Sequence, residues 1–181
     1  MTKSTDIQTK RLLITPFSER HLTPRYVGWL NNPEVVRFSE QRHRSHTLGS
    51  CREYWKSFDG TLNYFWAIEE IKSGLGHIGN INAYVDMNNQ LADIGILIGE
   101  KDAWQKGYGF EAFLAVSHYL LNAIKLRKIT AGTMATNTAM LKIMRRLGMM
   151  EETRRPKHFL WEGIQVDLVQ MALCNSSWKE K

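Results

Sequence analysis

The chain has 181 residues, 43% of them hydrophobic and 23% charged, which is enough for a full core and ordinary for a soluble globular domain. It has no run of about 18 apolar residues, no apolar stretch behind the polar start Met1–Asp6, and only two distant cysteines; a transmembrane span, a secretory leader and a disulfide framework are not expected, and a cytoplasmic location with reduced thiols is. The net charge of +6 suits a partner carrying phosphates, whereas nucleic acid is not expected, because the cations are dispersed apart from Arg145-Arg146 and Arg154-Arg155-Pro156-Lys157.

In chain order, residues 7–17 alternate imperfectly through Leu12, Leu13, Ile14 and Phe17 and read as a first strand. Ser18 reads as the N-cap of a helix running to about Leu30, with Leu22, Tyr26 and Trp29 on one face, ended by Asn31-Asn32-Pro33. Thr47 caps a second helix through Tyr54 and Phe58, and Asp59-Gly60 is a turn. Tyr64 to Glu70 and Gly76 to Val85 read as a hairpin about Lys72-Ser73-Gly74, and Asn88-Asn89 turns the chain into a strand from Leu91 to Gly99.

A glycine-bearing run, Trp104-Gln105-Lys106-Gly107-Tyr108-Gly109-Phe110-Glu111-Ala112, follows that strand. It opens a helix whose stripe is Phe110, Phe113, Leu114, Leu120, Leu121 and Ile124. Strand, glycine turn and helix together form an arrangement that binds an anion or stands as an ordinary tight turn. Glycine lets the backbone approach closely, and the first-turn N–H groups have no internal partner and carry the positive end of the macrodipole. Lys128 to Ala135 then reads as a strand, Asn137 to Leu147 as a short helix closed by Gly148, and Met149–Phe159 with Ile164–Leu173 as a closing hairpin turned at Glu162-Gly163. Without repeats or linkers, residues 1–181 are expected to form one mixed α+β domain around a single sheet.

The glycine run lacks the spacing of GxxxxGK[ST] or GxGxxG. It resembles motif A of the GNAT superfamily of N-acetyltransferases and in particular the RimJ/RimL-like branch, W-G-K-G-Y-[AG]-x-E-A, with Gln105 in place of the usual small residue. Asn137-Thr138-Ala139-Met140, running on to Leu147-Gly148-Met149, resembles motif B of the same family, and Trp29-Leu30-Asn31-Asn32-Pro33-Glu34-Val35 resembles the W-x-N-[DN]-P-E-V segment of that branch.

The resemblance implies the GNAT fold, a mostly antiparallel mixed sheet flanked by helices with a splayed strand pair for the acetyl-CoA arm. It implies acetyl-CoA as co-substrate, held by Ile96, Leu97, Ile98, Gln105, Lys106, Gly107, Tyr108, Gly109, Phe110 and Asn137, with Lys142 and Arg145 near its adenosine-side phosphate. Asn137 serves equally as a helix N-cap, and Lys142 and Arg145 as solvated helix charges. The Tyr and Ser that relatives use to protonate the leaving thiolate are replaced by Met144 and Met140, which cannot donate a proton.

Acetyl transfer needs a neutral amine, hence a base. Asp93 matches the position of that base in the family, with a hydrogen-bonded strand-edge carboxylate as the other reading, and Glu100 is the weaker candidate. A backbone N–H within Ile96–Ile98 is expected to polarise the thioester carbonyl.

The acceptor side is expected at Trp29, Glu40, Gln41, Arg42 and Tyr84, where the polar run Ser39–His46 suits a polar, phosphate-bearing molecule or stands as a solvated loop. No metal is expected. The function read from the chain is acetyl transfer from acetyl-CoA to a primary amine, such as a nucleotide-linked amino sugar, by a monomer or homodimer. Acetylation of a protein N-terminus and a non-catalytic acyl-CoA-binding module are the alternatives.

Overall fold

A computed structural model describes residues 6–179. Eight strands form one mixed sheet in the order β1-β2-β3-β4-β5-β6-β8-β7, with five α-helices around it. β1 (Ile7–Gln8), β2 (Leu12–Pro16), β3 (Tyr64–Glu70), β4 (Gly76–Asp86) and β5 (Leu91–Ile98) pair antiparallel in succession. β6 (Lys128–Met134) is parallel to β5, and β8 (Ile164–Cys174) joins β6 to the edge strand β7 (Met150–Trp161).

The two expectations that fail are local. The first strand is a hairpin instead, because Thr9 turns the chain and its N–H bonds the Leu12 carbonyl at 2.9 Å. The helix expected from Ser18 to Leu30 breaks in two. Ser18 caps only a 3-10 turn, Glu19–His21, and α1 (Pro24–Leu30) starts afresh under a Thr23 cap. Pro24 is the cause: it forces Thr23 into extended backbone and has no N–H to continue a helix. Asn31 ends α1 as expected, and Pro33 then serves as first residue of a short α2 (Pro33–Val36) capped by Asn32.

α3 (Leu48–Lys56) starts in a Thr47/Ser50 capping box. α4 (Tyr108–His118) runs into a π turn, Tyr119–Ala123, and α5 (Thr138–Leu147) closes at Gly148, whose φ of 88° is the left-handed conformation that favours glycine.

The core divides at the sheet. α4 packs Phe113, Val116 and Leu120 with Ile81, Ala83, Ile94 and Ile129, joined by Leu141 and Met144 of α5. The opposite face carries Phe17, Leu22, Tyr26, Trp29, Leu30 and Cys51 against Ala67 and Leu97. Burial on this scale supplies most of the folding free energy, at about 25 cal/mol per Å² of apolar surface.

Candidate active site

Among the described residues β5 and β6 are the only parallel pair in the sheet, and they separate. Their register runs through Leu91, Ala92 and Asp93, opposite Lys128, Ile129 and Thr130, and stops there. β4 continues alongside β5 to Ile98. The Gly99 N–H bonds the Ile78 carbonyl at 2.9 Å, and antiparallel alternation therefore turns the backbone of residues 95 and 97 towards β4 and that of Ile94, Ile96 and Ile98 into the gap. The Trp104 indole N–H takes the Ile98 carbonyl at 2.9 Å. The gap edge thus belongs to Ile96 and Ile98, whereas Leu97, expected with them, points its side chain into the opposite core and its cavity.

The glycine loop closes one end of the gap. Gln105 has φ of 60° and Gly107 of 81°, so the chain turns twice through left-handed backbone before α4 begins at Tyr108. Tyr108, Gly109 and Phe110 present first-turn N–H groups there. Gly109 lies between α5 and β5: a Cβ there would stand in ordinary contact with Ile143 at 3.4 Å and Ile98 at 3.6 Å, so packing alone does not require glycine.

A clamp not foreseen in the sequence holds this loop. The Glu111 carboxylate accepts from the Thr9 hydroxyl at 2.6 Å, from the Arg11 N–H at 3.0 Å and from the Arg11 guanidinium at 2.7 Å. Arg11 also donates to the Lys106 carbonyl at 2.9 Å, and its guanidinium lies 4.4 Å from the Tyr108 ring centre.

Across the gap, Asn137 caps α5 by accepting the Met140 N–H at 3.2 Å and donates one amide hydrogen to Thr133 Oγ1 at 3.0 Å. Its second N–H and second lone pair remain available to a ligand. Lys142 and Arg145 are exposed on α5, and Arg146 covers Phe110 at 4.0 Å. Met144 is fully buried and Met140 packs at the edge of the core.

On the opposite face a cavity of about 330 Å³ opens on Gly95, Ile96 and Leu97. Tyr26 and Leu30 of α1, Ser50, Cys51 and Tyr54 of α3, Asn80 and Asn82 of β4, and Ser39, Gln41, Arg44, Ser45 and His46 complete it. Of its lining residues, Asn80 bonds the His77 ring and donates to the Trp66 carbonyl at 3.3 Å, while the buried His46 Nε2 has no hydrogen-bond partner among the described residues. Such an atom costs free energy unless a ligand meets it.

Asp93 sits where β5 and β6 part, and Thr130 donates to it at 2.7 Å. Burial pushes its carboxyl above the usual range, against the Thr130 bond. Glu100 has a different setting: Arg25 donates to it at 2.9 Å and it caps the turn Lys101–Ala103. Burial opposes its ionisation, but the Arg25 bonds prevail and hold it below the usual range.

Of the expected acceptor residues, Gln41 lines the cavity. Trp29 does not: it is buried against Gly99, where a Cβ would fall 2.2 Å from its ring. Tyr84 is exposed outside the cavity but touches its wall, with its hydroxyl 3.1 Å from that of Tyr54. Arg42 pairs with Glu40 at 2.8 Å and lines a second, outer cavity. Asn80, Asn82 and Tyr54 went unrecognised in the sequence, where isolated polar residues in strands and helices carry no signal.

A glycine loop over a gap between diverging strands, with a polar cavity entering the same strand from the other face, defines a two-substrate transfer site. The acetyltransferase (GNAT) domain family matches residues 11–150, and the chain belongs to that family as an acetyl-CoA-dependent N-acetyltransferase. It is 23% identical over 151 residues to an N-acetyltransferase 9-like protein of Nematostella vectensis, covering 76% of this chain and 74% of that one. Among solved structures, a GNAT-family acetyltransferase from Bacillus anthracis is 21% identical, with a TM-score of 0.81 over 96% of this chain and all (100%) of the other. Spermidine N-acetyltransferase from Vibrio cholerae, solved with CoA and spermine, is 16% identical, with a TM-score of 0.82 over 93% and 98% of the two chains. At these identities the structural likeness speaks for the fold.

Among the described residues no group of His, Cys, Asp and Glu has a metal-binding arrangement, and no helix is long and apolar enough to cross a membrane.

Proposed function

We propose that the chain transfers the acetyl group of acetyl-CoA directly to the primary amine of a small polar molecule, of which a nucleotide-linked amino sugar is an example. The observation that carries this reading is the meeting of the β5–β6 gap and the 330 Å³ cavity at one short segment, Gly95–Leu97. The thioester arm lies in the gap, held by Asn137, and the pyrophosphate on the N–H groups of Gly107, Tyr108, Gly109 and Phe110. Gln105 and Lys106 shape the turn, while Lys142 and Arg145 face the remaining phosphate.

In the reaction the N–C bond forms as the C–S bond breaks. The N–H of Ile96 or Ile98 stabilises charge developing on the carbonyl oxygen, a contribution of about 3 kcal/mol for one preorganised donor. Asp93 receives the amine proton, through a water where the strand distance requires one, and the thiolate takes a proton from solvent because Met140 and Met144 offer none. Glu100 is left out as base, since Arg25 already occupies it. Gln41, Tyr54 and Asn82, whose side chains line the cavity, bond the amine or its neighbouring hydroxyls. The unpaired thiols of Cys51 and Cys174 suit a reducing compartment, the cytoplasm.

The test is thermal unfolding with and without acetyl-CoA, with Gly107→Glu as control, followed by CoA-thiol release over a panel of amines. Acetyl-CoA at 100 times its dissociation constant should stabilise the wild type by about 2.7 kcal/mol. No shift in a folded wild type would end the acetyl-CoA reading, and a shift without turnover of any amine would favour a binding module.

A further inference from the structure

The 330 Å³ cavity has a neighbour. Beyond the segment Ser39–Ser45 lies an outer cavity of about 530 Å³, and Leu30, Gln41, Arg44 and Ser45 line both. The two compartments therefore share a wall only a few side chains thick. The tip of the β7–β8 hairpin forms the far side of the outer one. Trp161 stacks on Phe38 with ring centres 5.5 Å apart, and its indole N–H donates to the Arg37 carbonyl at 2.9 Å.

The charges of this compartment are one-sided. Arg37, Arg42 and Arg44 line it, with His43, against one lining carboxylate, Glu162, while Glu40 pairs with Arg42 and Glu34 lies within the field of Arg37. Arg42 is held in place by the Ser39 carbonyl at 2.9 Å and by Glu40 at 2.8 Å. The exposed guanidiniums of Arg37 and Arg44 make no ion pair with any described carboxylate. The inner cavity has no lining carboxylate at all, and Arg44 is its one lining side chain with a permanent charge. A second cation reaching across both compartments would meet three lining arginines against one lining carboxylate, Glu162.

We infer that the outer cavity is an anion subsite, and that the acceptor is an amine whose far end carries a phosphate or diphosphate. The amine occupies the inner cavity beside Gly95, and the phosphate oxygens reach past Gln41 and Ser45 to Arg37 and Arg44. Guanidinium suits this task because its planar N–H pairs match phosphate oxygens two at a time. The inference rests on the transferase reading for the amine end only; the anion end stands on the cavity and its charges.

Two measurements test it. In the first, inorganic pyrophosphate is titrated calorimetrically into protein saturated with CoA, so that the glycine loop is already taken. Binding to the wild type, lost in the R37Q/R44Q double variant, is the expected result. Both positions are exposed, so the variant should fold, and circular dichroism checks that it does. No binding, or binding unchanged in the variant, overturns the subsite. If CoA itself fails to bind, the transferase reading falls, and the same titration run without CoA still decides the subsite by comparing wild type with R37Q/R44Q.

The second compares acceptors of matched shape. Glucosamine 1-phosphate should exceed glucosamine in kcat/KM by about tenfold or more, equivalent to one good charge-assisted contact, and the preference should collapse in R37Q/R44Q. Equal rates for the two amines, or spermidine as the better acceptor, would overturn the assignment.

Discussion

Asp93 and Thr130 form the last rung at which β5 and β6 still touch, and this position decides what the carboxylate can do. Burial raises its affinity for a proton, which brings it closer to the range where a base is useful, and the Thr130 hydroxyl restrains the shift. Asp93→Asn should lower kcat by about 100-fold or more while leaving acetyl-CoA binding intact, as general-base loss does. Thr130→Val removes the one bond that favours the ionised form, and the acid limb of the pH–rate profile should move to higher pH. An unmoved limb would separate Asp93 from the proton transfer.

Residue by residue, the sequence was a good guide to the turn at Gly107 and the helix cap at Asn137, because those positions need particular backbone freedom or a particular amide. It was a poor guide to Trp29 and Tyr84. An aromatic ring beside a site and one beneath it look alike until packing is known, and Trp29 lies under Gly99.

Elements are where the loop gains its rigidity. The turn between β1 and β2 reaches α4 through Thr9, Arg11 and Glu111, so an edge hairpin fixes the helix N-terminus proposed to bind phosphate. Glu111→Gln keeps the shape but weakens the charge-assisted bonds. Because Arg11 is partly solvent-exposed, a stability loss of only about 1–2 kcal/mol is expected in urea unfolding, with a raised KM for acetyl-CoA. A lost stability with an unchanged KM would show that the clamp serves the fold and not the loop.

Gly99 offers a second element-level test. A Cβ there would overlap Trp29, so Gly99→Ala must push α1 from the sheet, at about 1–3 kcal/mol, and should disturb the inner cavity that α1 lines. None of these contacts has a local signature. Arg11 and Glu111 lie 100 residues apart in the chain, and only closure of the sheet brings them together.

For the whole molecule, the buried imidazoles set the response to acid. His77 is enclosed by the rings of Trp29, His21, Tyr26 and Phe17, and its Nε2–H donates to the Gly79 carbonyl at 3.0 Å. Burial pushes its pKa down to about 3, with help from His21 and against the Gly79 bond; burial likewise lowers His21 against its Glu69 partner. A histidine depressed in the folded state is neutral in both states above its unfolded value, and its stabilisation is then complete. As pH falls below about 6.5 the unfolded chain takes up the proton first, so stability declines towards the folded value. From His77 alone the loss at pH 5 should be about 2 kcal/mol. Urea unfolding from pH 8 to pH 5 reads it, and His77→Gln should flatten the slope; a slope unchanged by that variant would place the acid sensitivity elsewhere.

The amino-acid sequence by itself determined the class of fold and the order of nearly every element, because periodicity, capping residues and glycine turns act over a few neighbouring positions; the co-substrate came from the resemblance of two of its motifs to a family. The run from Trp104 to Ala112 and the segment from Asn137 to Gly148 carry their chemistry in backbone conformation, which short stretches specify. Tertiary structure alone decided which carboxylate an arginine takes, which aromatic rings are buried and which residues line the cavities. Those outcomes depend on contacts between distant segments: Arg25 taking Glu100, α1 seating Trp29 on Gly99, and the β7–β8 hairpin enclosing a ring of arginines.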